Sequence, residues 1–141
     1  MKKFIQLLLI LSTLPFITAM GMSPDSTAIE SIPQPEKVLS ATFLDQMDVA
    51  TRCSHVSIEG KTVIDGRMGK GTYLVPLENI RKINFFKKNG ELVAEITLRE
   101  SDDKISLVVK EDLRVFGKTS WGSFQIRLGD LKTMMMDDKN Q

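Results

Sequence analysis

The chain is poor in the side chains on which most catalytic and metal sites depend. Its 141 residues include one cysteine and one histidine. A single cysteine excludes an intramolecular disulfide, so an apolar core must hold the fold together. A single histidine leaves little material for a nucleophile–base pair. These shortages favour a protein that is not an enzyme, and a small hydrolase stays open only as an alternative without candidate residues.

The chain also lacks an excess of charge of either sign. It carries 19 Lys and Arg against 18 Asp and Glu. Cleavage of the N-terminal segment described next removes Lys2, Lys3 and no acid, which leaves 17 basic residues against 18 acidic ones. Nucleic-acid-binding domains usually carry a clear basic excess. We therefore expect no nucleic-acid partner.

Long apolar runs are missing except at the N-terminus. There, Lys2 and Lys3 precede an apolar stretch over residues 4–18, and small residues follow at Ala19, Gly21 and Ser23. This order is typical of a secretory signal peptide. The stretch is shorter than the roughly 20 apolar residues of a membrane-spanning helix. The sequence predicts a signal peptide over residues 1–21, with cleavage after Ala19 or Ser23 as the alternatives.

The cleavage region predicts where the protein goes. No cysteine lies near it, so lipoprotein processing is not expected, and the predicted location is periplasmic or secreted, with no transmembrane segment after signal removal. Residues 22–36 hold three of the five prolines and read as a flexible linker. Residues 37–136 are predicted to form a single β domain, and residues 137–141 a polar tail.

Most of the predicted domain alternates apolar and polar residues with the period of a β-strand. The clearest part is a β-meander over residues 84–110, in which Asn89-Gly90 marks a type I′ hairpin turn. Asp65-Gly66 predicts another turn. Residues 37–50 fit a helix or a strand, and the β pattern downstream favours a strand that ends at a turn over residues 45–48.

A thirteen-residue unit occurs twice, over residues 71–83 and 122–134, at a constant offset of 51 residues. Each copy reads as a strand and then a turn with Asn or Asp, followed by aliphatic residues three apart. Pro76 indicates either a sheet edge or the end of the first strand, because proline has no N–H to donate to a central ladder. The sequence therefore predicts an all-β fold: a small antiparallel β-sandwich or partly closed barrel of about eight or nine short strands with a duplicated strand-turn unit.

The candidate chemistry is sparse. Cys53 and His55 are two residues apart and would share a face of a regular strand, where they could form an activated thiol or a pair of metal ligands. Met135, in the run 134–136, adds a thioether of the kind that binds Cu(I). Side chains alternate along a strand, so three successive methionines cannot all reach one ion. Burial of the cysteine is the commoner outcome, and we expect no cofactor.

Exposed apolar side chains are the stronger functional signal. Leu74 and Val108 fall on faces that the alternation makes outer, and Trp121 lies in a glycine-bounded loop. They are the predicted interaction surface. The resulting hypothesis is an exported, non-catalytic binding or envelope-assembly module whose partner is an envelope or secreted protein. The alternative is a small periplasmic metal-binding or redox protein that uses Cys53, His55 and the methionines. The oligomeric state stays open.

Overall fold

The structure, a computed structural model, describes residues 37–138. Two 3₁₀ turns cover Leu77–Asn79 and Leu128–Asp130. The predicted signal peptide and linker, and residues 139–141 of the predicted tail, lie outside the described residues. The ten strands are β1 (Ala41–Asp45), β2 (Ala50–Ile58), β3 (Val63–Met68), β4 (Gly71–Pro76), β5 (Ile80–Lys88), β6 (Glu91–Leu98), β7 (Lys104–Val109), β8 (Arg114–Lys118), β9 (Ser123–Arg127) and β10 (Leu131–Met136).

All ten strands belong to one antiparallel sheet that curls into a half-barrel, in the order β4-β3-β7-β6-β5-β10-β1-β2-β8-β9. The prediction of an all-β fold in the form of a partly closed barrel is therefore confirmed. The sheet has ten strands rather than eight or nine. Strands β4 and β9 are its two edges, and Pro76 is the last residue of β4, so both predicted positions of Pro76 are confirmed.

The inner face of the curled sheet holds the apolar core. The rings of Phe43 on β1 and Phe124 on β9 stack with 5.5 Å between their centroids. Because β2 and β8 lie between these two strands in the sheet, this contact requires the curl. Each fully buried large apolar side chain favours folding by about 1.5–3 kcal/mol. The largest buried side chains are Phe43, Ile64, Leu77, Ile80, Ile83, Ile96, Leu107, Leu128, Leu131 and Met134.

The predicted β-meander is present as β5, β6 and β7. Asn89 and Gly90 connect β5 to β6 with φ values of 53° and 77°. Positive φ at both central residues is the property of the type I′ turn that the dipeptide predicted. The segment over residues 37–50 also forms a strand, β1. The Oδ1 atom of Asp45 closes the turn after it by accepting hydrogen bonds from the backbone N–H groups of Met47 (2.8 Å) and Val49 (3.0 Å).

The predicted turn at Asp65-Gly66 is wrong, because both residues lie inside β3. The turn comes later, at Gly69, where φ is 62°. A Cβ on Gly66 would lie 2.7 Å from the Cβ of Leu107 on β7, a separation that two carbon atoms cannot share. Gly66 therefore serves the close approach of β3 and β7 rather than a turn, a role that Gly in a strand also indicates.

The duplicated unit has the same structure in both copies. The first is β4, a 3₁₀ turn and β5, and the second is β9, a 3₁₀ turn and β10. In both copies the residue after the turn donates its backbone N–H to the leucine that begins it, as Ile80 does to Leu77 and Leu131 does to Leu128. Both leucines are fully buried and close the core from the same kind of turn.

Equivalent residues of the two units meet at the centre of the sheet. Ile83 on β5 pairs with Met134 on β10, and their numbers differ by the repeat offset of 51. Two equivalent residues paired across antiparallel strands lie on a local twofold axis. The axis relates β5, β6, β7, β3 and β4 to β10, β1, β2, β8 and β9, in that order from the centre outward. The flanking pairs obey it: Lys82 with Met135 and Asn84 with Thr133.

The same relation holds far beyond the units that the sequence revealed. The pair Arg67–Val108, between β3 and β7, corresponds to Lys118–Ser54, between β8 and β2. The first half consists of the consecutive strands β3–β7, whereas the second consists of β8–β10 together with β1–β2 from the start of the domain. The second half is thus a circularly permuted copy of the first. The sequence repeat does not show this permutation, because β1 and β2 come before β8–β10 in the chain although all five strands form one half.

Candidate functional site

Cys53 points into the core. A Cβ at Gly117 on β8 would lie 2.6 Å from the Cβ of Cys53, so the backbone of β8 closes over this side chain. Burial raises the pKa of the Cys53 thiol from its usual value to about 11. The thiol is therefore protonated at neutral pH, and a protonated thiol is a poor nucleophile and a poor metal ligand.

His55 lies in a β-bulge. Its φ is 52°, and the register between β2 and β8 shifts between Ser54 and Ser57. The His55 Nδ1 atom lies 3.1 Å from the Ser54 Oγ atom. The expectation that Cys53 and His55 share a face assumed a regular strand, and the bulge interrupts the alternation between them.

The three successive methionines alternate as strand geometry requires. Met134 and Met136 are buried, and Met135 lies on the outer face of β10 with 48% of its surface exposed. Within residues 37–138, no three His, Cys, Asp or Glu side chains lie close enough to hold one metal ion.

The three residues of the predicted interaction surface lie apart in the sheet. Leu74 is 65% exposed on the edge strand β4, and Trp121 is 82% exposed in the turn between β8 and β9 at the other end of the strand order. Val108 is half-buried on β7, where it pairs with Arg67 on one side and Val93 on the other. Leu74 is the member that lies beside both an open backbone edge and a cavity.

Strand β4 presents free backbone groups along one side. Leu77 donates its N–H to the Thr62 carbonyl at 2.9 Å, which continues the β3–β4 ladder. Backbone groups alternate in direction along a strand. Counting back from Leu77, the N–H and C=O groups of Thr72 and Leu74 point away from β3, and so does the Pro76 carbonyl. The edge therefore offers two donors and three acceptors.

A cavity of about 400 Å³ opens beside this edge. Its lining is mainly apolar, from the end of β4 and from the facing ends of β6 and β7, with one carboxylate at its rim. We call it the β4 groove. It is lined by Leu74, Val75, Pro76, Asn79, Leu98, Glu100, Ser101 and Ile105. A free edge beside an apolar pocket is the arrangement by which sheets accept an added strand.

A larger cavity of about 500 Å³ lies at the ends of β3, β6 and β7. Three of its charged side chains take part in ion pairs. The Arg67 Nη2 atom lies 3.0 Å from Glu91 Oε1, and the Glu111 Oε2 atom lies 2.5 Å from the Lys87 Nζ atom. Asp65 and Lys110 also line this cavity, so its wall carries more charged groups than the β4 groove, whose lining holds one, Glu100.

The opposite edge, β9, has the same backbone but different side chains. By the same alternation, Ser123, Gln125 and Arg127 direct their backbone groups outward, since Leu128 donates its N–H to the Leu113 carbonyl at 2.8 Å. Gln125 stands where β4 has Leu74, and Arg127, ion-paired to Asp130 at 3.1 Å, stands where β4 has Pro76. Charged residues on an edge discourage strand addition. Strand β4, from Gly71 to Pro76, has none.

Sequence reasoning found Leu74 and the edge position of Pro76 but missed the rest of the groove. The apolar–polar pattern does not single out Leu98 on β6 or Ile105 on β7 as surface residues. They are only partly buried, because the sheet curls open at this end. No sequence signal reports where a curled sheet opens.

Comparison with known proteins places the chain in a family without assigning it an activity. Among the described residues, no helix is long and apolar enough to cross a membrane. No curated protein and no solved structure matches the chain. The model of one family, described as "Uncharacterised protein", matches residues 35–139, well over half of the sequence. The chain therefore belongs to this uncharacterised protein family.

Proposed function

We propose that the protein is an exported, non-catalytic binding or envelope-assembly module that takes up an extended segment of an envelope or secreted protein along β4. One observation carries this proposal: the β4 edge is uncharged, no strand of residues 37–138 pairs with its outer side, and it borders an apolar groove.

Backbone and side chains contribute separately to such binding. Each new hydrogen bond to the edge contributes about 0.5–1.5 kcal/mol, independent of the sequence of the added strand. An apolar side chain of that strand, buried in the β4 groove against Leu98 and Ile105, adds about 25 cal/mol for each Å² removed from water. The β4 groove therefore selects the side chains of the added strand, and the backbone edge of β4 fixes the direction in which that strand lies.

The chemistry of Cys53 supports a non-catalytic role. The thiol is the most nucleophilic group that the sequence offers, and it is buried and protonated at neutral pH. His55, the one histidine in the chain, is engaged with the Ser54 hydroxyl.

Export rests on the N-terminal pattern of Lys2, Lys3 and the apolar stretch over residues 4–18. If the segment is a cleaved signal peptide, the protein recovered from the cell envelope has the mass of a chain that begins at Met22, or at Met20 or Pro24 for the two alternative cleavage sites. A full-length mass with retained Met1 contradicts export by this route.

Site-specific photo-crosslinking in cells tests the binding edge. A benzophenone side chain replaces Leu74 in one variant and Gln125 in a second, so the two probes occupy equivalent positions on the two edges. We expect an adduct from position 74 that maps to one extended segment of a single protein, and little or none from position 125. Equal labelling at both positions, or none at either, contradicts the proposal.

A further inference from the structure

We propose that the strand added to β4 is β4 of a second copy of this chain, paired antiparallel about a twofold axis at Tyr73. The two curled sheets then join into one sheet of twenty strands, twice the ten of a single chain. This inference rests on the proposed function, since it names the partner that the same edge accepts.

The backbone of β4 permits this register. Antiparallel pairing about Tyr73 sets Thr72 opposite Leu74 of the second copy, and Leu74 opposite the partner's Thr72. Both residues direct their N–H and C=O groups outward, so the two pairs form four hydrogen bonds. Pro76 falls opposite Lys70 of the second copy. Because Lys70 lies in the β3–β4 turn, beyond the end of the strand, the missing N–H of Pro76 interrupts no hydrogen bond of the ladder. An axis at Leu74 would set Pro76 opposite Thr72 and would also allow four hydrogen bonds, so the choice between the two axes rests on the side chains.

The side chains fit the same axis. Tyr73, 45% exposed, would face its own copy in a non-hydrogen-bonded pair, in which Cα atoms approach to about 4.5 Å and side chains lie closest. Aromatic cross-strand pairs contribute roughly 0.2–1 kcal/mol over alanine pairs. The two Leu74 side chains become diagonal neighbours on the outer face, within reach of each other at about 7–8 Å between positions.

Charge distinguishes an antiparallel second copy from a parallel one. Strand β4 begins beside Lys70 in the β3–β4 turn and ends beside Glu100 at the rim of the β4 groove. Within residues 37–138 neither side chain has an ion-pair partner. Antiparallel pairing about Tyr73 brings each Lys70 to the Pro76 end of the other copy, where Glu100 lies. A parallel arrangement would set Lys70 beside Lys70 and leave both carboxylates alone.

Strand β9 is the matched edge that does not pair in this way. Arg127 is held by Asp130, and Gln125 replaces the apolar Leu74. One protected edge and one open edge give a closed dimer, because a second addition has no place to occur. Two open edges would instead give an indefinite filament.

The mature protein is tested by sedimentation velocity over a concentration series. We expect its mass to double as the concentration rises. Leu74→Lys should weaken the dimer by at least tenfold in dissociation constant, because it adds like charges beside the axis. Gln125→Lys, the equivalent change on β9, should leave it unchanged. Both positions are exposed, so both variants should keep the same circular dichroism spectrum.

Engineered cysteines test the register. In air-saturated buffer, with dissolved oxygen as the oxidant, Tyr73→Cys should form an intermolecular disulfide, since the paired Cα atoms lie in the range of about 4.4–6.8 Å that a disulfide needs. Thr72→Cys and Leu74→Cys should crosslink quickly when mixed, and each slowly alone. The buried thiol of Cys53 does not take part in this reaction.

Three outcomes overturn the inference: a monomer at every concentration, larger oligomers without a closed dimer, or Leu74→Cys alone crosslinking faster than Tyr73→Cys. The proposed function fails separately. If the photo-crosslinker at position 74 captures a different protein while the mature chain stays monomeric, the binding edge stands and the second copy is excluded. If position 74 gives no adduct of either kind, both proposals are excluded.

Discussion

Gly66 and Gly117 show how single residues set the spacing of this sheet. They are equivalent under the local twofold axis, and each lets its strand approach a neighbour too closely for a side chain. Gly66 faces Leu107, and Gly117 faces Cys53, whose positions are equivalent as well. Both halves therefore require glycine at this equivalent position.

Gly117→Ala should destabilise the fold by about 1–3 kcal/mol, because the new Cβ would lie 2.6 Å from the Cβ of Cys53 and force β8 away from β2. Gly122→Ala is the control, since no atom lies within 4 Å of a Cβ at that position and its φ is not positive. Urea denaturation measures both variants. Equal stability of the two would contradict the close approach.

The Cys53 thiol links burial to pH. Its folded pKa of about 11 lies above the value near 9 of an exposed thiol. The protonated form is the one that the core accepts, so stability from this group is fully present below pH 9. It is lost as the pH rises from 9 through 11, by roughly 2–3 kcal/mol at most at 1.36 kcal/mol for each pKa unit.

Comparison of the wild type with Cys53→Ala across pH 8–11 isolates this contribution, because all other titrating groups are common to both proteins. The loss of stability above pH 9 should be smaller in the variant. In the wild type, Ellman's reagent should react with Cys53 only after denaturation. Rapid reaction of the native protein would instead support the metal-binding or redox alternative.

At the scale of elements, Arg99 ties the end of β6 to the starts and ends of other strands. Its side chain is largely buried, and it donates hydrogen bonds to the carbonyls of Glu78 (3.3 Å), Ile80 (3.1 Å) and Asp137 (3.0 Å). Gln46 is its equivalent in the other half and donates once, to the Leu131 carbonyl at 3.0 Å. The backbone contact is conserved between the halves, but the first half carries the larger network.

Arg99→Ala should therefore cost about 3 kcal/mol, because three carbonyls lose a charged donor. Gln46→Ala, which removes one neutral donor, should cost about 1 kcal/mol. Thermal or urea unfolding of the two variants gives the comparison. A cost for Gln46→Ala equal to or above that for Arg99→Ala would show that the Arg99 bonds do not hold the strands as their geometry indicates.

Sequence reasoning succeeded for elements whose conformation depends on near neighbours. The hairpin at Asn89-Gly90 was predicted because positive φ is a local property of those residues. The turn at Asp65-Gly66 was predicted wrongly because the same dipeptide also fits a strand that packs against another backbone. The bulge at His55 had no local signal, since it depends on the register between β2 and β8.

At the scale of the whole molecule, the ends of the domain occupy the position in the second half that is equivalent to the β5–β6 hairpin in the first half. Asp137 donates its backbone N–H to the Ser40 carbonyl at 2.9 Å, so β10 and β1 continue their ladder to the last described residues. Under the twofold axis this position corresponds to the pair Phe86–Val93, which precedes the β5–β6 turn at Asn89-Gly90. Lys37 and Asp138, the ends of the described segment, thus correspond to Gly90 and Lys87, which lie in this turn and just before it.

A circular permutant should therefore fold. A short Gly/Ser linker joins Asp138 to Lys37, and the new termini lie between Asn89 and Gly90. The permutant then has a continuous chain from β10 to β1 and a break between β5 and β6. We expect cooperative thermal unfolding within a few degrees of the linear chain of residues 37–138. Loss of a cooperative transition would show that the β5–β6 turn is required for folding and that the two halves are not interchangeable.

The sequence by itself determined the properties that arise from neighbouring residues: the β period, the type I′ turn, the duplicated strand-turn unit, and the uncharged β4 strand with its proline. Only the tertiary structure decided the order of the strands in the sheet, where the curled sheet opens into the β4 groove, and how β1 and β2 complete the permuted half. The physical reason is range. Alternation and φ preferences act over a few residues, whereas strand order and curl are set by contacts between residues far apart in the chain, such as Phe43 with Phe124 and Ile83 with Met134.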